Sequence, residues 1–154
     1  MQNTRFNHSL VWHKGKIYAI GGAKNENKDS LRTNDFAEYL DYNQSMSWTS
    51  VSDSSYHFMD DTTTTVLPRY NHGACSFGDE IYIFGGQSKT AKISDAYAWN
   101  PETGVVRKLN FPTDAFISPC CAVPFGSKIY VIGMKSASAE VTATSVFKIY
   151  EYTP

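Results

Sequence analysis

The stretch Arg5–Gly22 returns twice further along the chain, and that repetition limits the folds open to it. Arg69–Gly86 lies 64 residues on and matches it at seven of 18 positions: Arg5/Arg69, Asn7/Asn71, His8/His72, Ile17/Ile81, Tyr18/Tyr82, Gly21/Gly85 and Gly22/Gly86. Ile117–Met134 lies a further 48 residues on and matches Arg69–Gly86 at six of 18: Ala74/Ala122, Phe77/Phe125, Gly78/Gly126, Ile81/Ile129, Tyr82/Tyr130 and Gly85/Gly133. Self-similarity at such a period means that one supersecondary unit is stacked on itself, with a core built between neighbours.

Each unit reads as antiparallel β-strands. A small-to-apolar segment comes first: Ser9–Trp12, Gly73–Ser76 and Cys121–Val123. A turn with Gly, Asp, Ser or Lys follows. The second strand is almost wholly apolar: Ile17–Ile20, Ile81–Phe84 and Ile129–Ile132. A short apolar run bounded by turn signals fits a strand buried on both faces. Glycines end that strand, where φ > 0 or a close backbone approach is needed. Third strands are expected at Phe36–Leu40, Ala96–Trp99 and Val146–Tyr150, and fourth strands at Trp48–Val51 and Val105–Leu109. The 10 Tyr, 9 Phe and 3 Trp agree with an all-β chain.

Composition removes several function classes. A formal net charge of −1 offers no basic field for nucleic acid or an anionic membrane. No apolar stretch reaches the ~20 residues of a membrane-spanning helix, and the start, Met1–His8, lacks the pattern of a secretory signal. A cytoplasmic location is the resulting expectation. Cys75, Cys120 and Cys121 are too few and too badly spaced for a disulfide framework, and read as small buried apolar residues. The glycosylation sequons at Asn7 and Asn43 are no more than such a composition produces by chance.

Signals for chemistry are sparse. His8 and His72 share one repeat position, which points to packing or hydrogen bonding where the chain enters the first strand. No Cys or His spacing suits zinc, and adjacent Cys120 and Cys121 face opposite sides of a strand. Gly21-Gly22 and Gly85-Gly86 lack the spacing of a phosphate-binding loop. Asp60-Asp61 reads as a solvated loop. No catalytic residue, metal site or cofactor is expected.

The pieces Arg-x-x-His, Ile-Tyr-x-x-Gly-Gly and Trp99-Asn100-Pro101-Glu102-Thr103-Gly104, with Trp48 on a fourth strand, resemble the kelch repeat of β-propellers. The resemblance covers essentially the whole chain. It implies four-stranded antiparallel blades: blade 1 at about 5–52, a polar linker at about 53–67, blade 2 at about 68–111 and blade 3 at about 116–154. Three features depart from it. Val106 stands near the second tryptophan position, Gly133-Met134 breaks the third diglycine, and Ile117-Ser118-Pro119-Cys120 replaces the third Arg-x-x-His. Blade 3 is thus expected to be incomplete, without its outer strand. Since propellers close with ~4–8 blades, the expectation is a piece of a longer propeller or, failing that, pairing of two chains.

The resemblance implies a non-catalytic protein-interaction module, an adaptor or scaffold that binds a protein partner through loops on one face. In kelch adaptors, arginines that enter the first strand read acidic partner segments. The matching positions are Arg5 and Arg69, with Tyr70 beside the latter, and the alternative role for these arginines is to bridge neighbouring blades. The alternative function is a fragment of a kelch-fold enzyme such as a sugar oxidase, mutarotase or specifier protein.

Overall fold

The computed structural model describes residues 1–2, 4–27, 30–33, 37–44, 46–51, 57–58, 69–88, 92–112, 117–135 and 146–154. Every regular element among them is a strand. The first sheet runs through β1 (Ser9–His13) and β2 (Lys16–Ile20). A hairpin of β3 (Ala23–Asn27) and β4 (Ser30–Thr33) interrupts it, before β5 (Ala37–Asp41) and β6 (Trp48–Val51) complete the order β1-β2-β5-β6. That hairpin occupies a stretch whose polar sequence reads as loop; its backbone pairs Ala23 with Thr33 and Lys24 with Arg32.

The second sheet holds β7 (His57–Phe58), β8 (Gly73–Phe77), β9 (Glu80–Phe84), β10 (Ala96–Trp99) and β11 (Val105–Lys108), in the order β7-β11-β10-β9-β8. Its fifth strand comes from the stretch between blades: β7 pairs parallel with β11, His57 opposite Val105 and Phe58 opposite Val106. The remainder of that stretch, Asp60-Asp61 and Thr62–Thr65 included, lies outside the described residues, as does Ser45 of the second sequon. The third sheet is β12 (Ile117–Phe125), β13 (Lys128–Lys135) and β14 (Val146–Tyr152), three antiparallel strands with no outer fourth among the described residues.

Turn chemistry sets the register. Lys14 and Gly15 both take positive φ (46° and 82°), the two-residue hairpin whose twist matches the flanking strands. In the other two units a glycine alone carries the positive φ at the first central position, Gly78 at 59° and Gly126 at 60°. Asn100 closes the turn between β10 and β11, its Oδ1 accepting from the backbone N–H groups of Glu102 and Thr103 at 2.9 and 3.1 Å.

Two cores lie between the blades. Val11, Tyr18 and Ile20 of blade 1 meet Ile81, Ile83, Tyr97 and Trp99 of blade 2. On the far side of blade 2, Cys75, Tyr82 and Phe84 meet Ile129 and Val131 of blade 3. Strand β9, with a sheet on each side, is therefore buried from Ile81 to Phe84. Strand β13 alternates instead: Ile129 and Val131 are buried, while Tyr130 and Ile132 are partly open. The sequence expectation of burial on both faces fails there because no described element covers blade 3 on its far side. Cys121 sits on that face and is exposed, correcting the reading of all three thiols as buried. Cys75 and Cys120 are held in apolar surroundings that push both thiols up to about 12.

Diglycines mark where β2 and β9 end. Gly21 and Gly22 have φ of 58° and 96°, Gly85 and Gly86 of 59° and 92°. A Cβ on Gly86 would stand 2.8 Å from the Cβ of His72 and 2.8 Å from the carbonyl oxygen of Tyr70. A Cβ on Gly21 would collide with the carbonyl oxygen of Arg69, in the next blade. Where Gly133-Met134 replaces the pair, the strand does not stop: Gly133, Met134 and Lys135 continue the ladder opposite Lys148, Phe147 and Val146.

Gly86→Ala is expected to cost about 2–4 kcal/mol, combining a strained φ with an overpacked contact. Gly126→Ala, with nothing within 4 Å of the added carbon, should cost only about 1–2 kcal/mol for its left-handed φ. Urea midpoints of the two variants measure the difference.

Candidate functional site

The segments entering the first strands, the diglycines and the roots of the long connections gather at one end of the blades. Phe6 pairs with Ala23 through backbone bonds of 3.0 and 2.9 Å, and Tyr70 pairs with Gln87 in the same way. The short turns at 14–15, 78–79 and 126–127 lie at the other end of the strands. Asn7 and Asn71 both adopt φ 55°, a left-handed conformation that asparagine tolerates. The turn they make swings each chain from the preceding arginine into the first strand.

Those arginines face inward. Arg5 Nη1 donates to the Gly21 carbonyl at 2.6 Å, and Nη2 lies 3.2 Å from Glu38 Oε2, both side chains being fully enclosed. Arg69 repeats the arrangement: Nη1 donates to the Gly85 carbonyl at 3.0 Å, and Nη2 meets Asp95 Oδ1 at 2.8 Å. Its guanidinium also lies 5.2 Å from the centre of the Tyr97 ring, whose hydroxyl donates to Asp95 Oδ2 at 2.9 Å. Each side chain ties the end of the second strand to the start of the third within its own blade, so both roots of the long loop are fastened to one cation. Tyr70 is itself buried, and Phe6, at the same repeat position in blade 1, is 42% exposed on the rim.

Backbone atoms bridge the blades here. The Arg69 carbonyl accepts from Gly22 N–H at 2.8 Å, Asn7 carbonyl from Asn71 N–H at 2.9 Å, and Asn71 carbonyl from Cys120 N–H at 3.1 Å. Ser9 Oγ donates to the His72 carbonyl at 2.8 Å. In blade 3, where Ser118 stands in the altered segment, its buried hydroxyl donates to Gln87 Oε1 at 3.1 Å.

The histidines at this end are packing groups. His72 is 4% exposed, lies against Gly21 and Gly86, and is pushed down to about 3, first by burial and then by Arg69 and His8. His8 is lowered too, first by burial and then by the Arg5 charge. Neutral imidazoles are what this site holds near pH 7. Among the described residues no group of three or more His, Cys, Asp or Glu side chains is placed to hold a metal ion, and no helix is long and apolar enough to cross a membrane.

Sequence reasoning picked out Arg5, Arg69 and Tyr70 but missed their acceptors. Glu38 lies inside an apolar third strand, and Asp95 stands just ahead of one. A lone carboxylate at a core position, one repeat element away from an arginine, was the available signal.

Two stability effects follow from this geometry. Arg69→Ala should lose about 3–5 kcal/mol, the cost of stranding a carboxylate whose buried partner is gone, as read from denaturant unfolding; a loss below about 1 kcal/mol would mean the clamp is not formed. His72 supplies a pH dependence. Its folded value lies below the ordinary 6.5, so the unfolded chain takes up protons first as pH falls. Stability is then full above about 6.5 and declines toward 3, by up to about 1.4 kcal/mol per pH unit. Unfolding free energies at pH 7.5 and 5.0 should differ less in His72→Gln than in the parent.

Comparison with known proteins adds to this geometry. Residues 1–153 match the family described as the KLHDC2/KLHL20/DRC7 Kelch-repeats domain. Over 86 residues, 56% of this chain, the sequence is 33% identical to the Ras guanine nucleotide exchange factor F of Dictyostelium discoideum. That match takes in 7% of the length of the Dictyostelium protein.

Proposed function

The chain belongs to the kelch-repeat family, and on that premise we propose that it is a protein-interaction module, an adaptor or scaffold that receives its partner on the loop-bearing end of the blades. One observation carries this reading: Arg5 and Arg69 each lock both roots of a long connection from inside the blade. Loops rooted this way can differ in sequence without disturbing the strands beneath them, and recognition commonly resides in such loops on a rigid frame. In this reading Arg5, Arg69 and Tyr70 are the foundation of the binding surface. The exposed rim, Phe6 among it, makes contact.

Immobilised chain tests the reading by partner capture from a cell extract. Replacing residues 24–34, or 88–91, with Gly-Ser segments of equal length should abolish capture of the proteins the parent retains, at unchanged melting temperature. Replacing the turn at 42–47 at the opposite end should leave it intact. Capture that survives both loop replacements and is lost with the turn would overturn the assignment of the binding end.

A further inference from the structure

No described element covers the far face of blade 3, and that face is apolar. Val123 and Phe125 of β12 are 47% and 75% exposed, and Phe147 and Ile149 of β14 are 71% and 68% exposed. Tyr130 and Ile132 of β13 lie between them in register. Strands of seven to nine residues make the face roughly 25 Å by 10–15 Å, a contiguous patch of the kind that marks an interaction surface. We propose that its occupant is the same face of a second copy of this chain, related by a two-fold axis.

The residues argue against two other occupants, a following blade and the blade 1 face of another copy. Internal faces carry alanine on the third strand where the next blade abuts it: Ala37 opposite Ile20 and Ala96 opposite Phe84, both wholly buried. Blade 3 puts Ile149 there, opposite Ile132. Its ladder also runs on where the diglycines turn β2 and β9 away, which adds Phe147, opposite Met134, to the face. A blade seated as blade 3 sits on blade 2 would collide with both side chains. Blade 1 offers no match either. Its outward face presents Leu10 where later blades carry Ala74 and Ala122, and Gln2 lies across it. Gln2 N–H donates to Glu38 Oε1 at 3.0 Å, and its Oε1 accepts from Ser50 Oγ at 3.0 Å.

The blade 3 face suits its own copy. Its two charged side chains, Lys128 and Glu151, pair with each other, and the Tyr130 hydroxyl donates to Glu151 at 3.3 Å. The face is therefore electrically neutral. A two-fold contact sets each patch against itself, and here nothing repels. Two such sheets pack as the halves of a β-sandwich do. The joint area falls short of the ~1,600 Å² of a standard interface, so association in the micromolar range is expected.

This contact uses the side of blade 3, so it stands or falls independently of the proposed binding end. The test is sedimentation velocity of the full chain from low to high micromolar concentration. The mass should rise from 17.2 kDa toward twice that value and stop there. Ile149→Lys should weaken association at least about tenfold, because a buried, unpaired ammonium is costly, and Phe147→Ser several-fold. Both replace exposed side chains, so melting temperatures should not change. Leu10→Lys, on the blade 1 face, should leave association intact. A parent that stays at 17.2 kDa throughout, or association that survives both blade 3 substitutions, would overturn the proposal. Loss of association in Leu10→Lys, or growth past two copies, would overturn the two-fold arrangement in favour of head-to-tail pairing.

Discussion

The close approach of backbone to backbone at the ends of β2 and β9 governs this structure. Gly22 donates to the Arg69 carbonyl at 2.8 Å, a contact that brings one blade's strand end against the next blade's entrance. Gly21 leaves no room for a side chain there, since a Cβ would meet both that carbonyl and the His72 ring. The second glycine of each pair serves its own blade, making way for the histidine of the entering segment. Gly21 thus spaces blade 1 from blade 2, while Gly22 and Gly86 each make way for the histidine of their own blade. Both tasks use the missing Cβ, and the positive φ that turns the chain out of the strand comes with it.

The arginine pairs act on top of that backbone geometry. Withdrawing a guanidinium and a carboxylate from water is expensive, and a buried pair often contributes little net stability against an apolar replacement. Their value here is positional. The planar guanidinium donates in fixed directions, so Arg69 holds the Gly85 carbonyl and Asp95 in one relation. Arg5 does the same with Gly21 and Glu38. At the short-turn end the fastening is of another kind: the exposed Lys14 reaches across to Asp79 and Glu102, where solvent screening leaves little energy in each contact. Between blades 1 and 2, the short-turn end adds one part-buried bond, His13 Nδ1 to Ser76 Oγ at 2.8 Å, to the backbone bonds that join them at the loop end.

Much of the fold was legible in the sequence because the repeat carries its own punctuation. The turn residues, the Ile-Tyr strand starts and the diglycines each have one local physical meaning, and β2, β6, β9, β10 and β11 lie within a residue or so of where that punctuation puts them. The hairpin β3–β4 was not legible, since Ala-Lys-Asn-Glu-Asn has neither apolar alternation nor β-branched residues. Strand β7 was hidden for a related reason: two residues give no periodicity. Of the candidate site, sequence located the arginines but not the direction they face. That direction is decided by Glu38 and Asp95, whose repeat positions share no residue type, so no comparison of one unit with another exposes them.

Burial was the property least open to reading from one unit, because it belongs to pairs of blades. Cys75, Tyr82 and Phe84 are covered because blade 3 lies against them. Their counterparts 48 residues on, Val123, Tyr130 and Ile132, are of similar apolar character, yet Val123 is 47% exposed. Phe147 and Ile149 share that open face. Residue type fixes what a strand can bury; the neighbouring sheet fixes whether it does. The same reasoning applies to first strands. Ala74 and Ala122 are small where they abut the preceding blade, whereas Leu10, at the corresponding position of blade 1, is large and exposed, as is Trp12 two residues on. Inner strands that must nest against a predecessor select small residues, and blade 1, which has no described predecessor, does not show that selection.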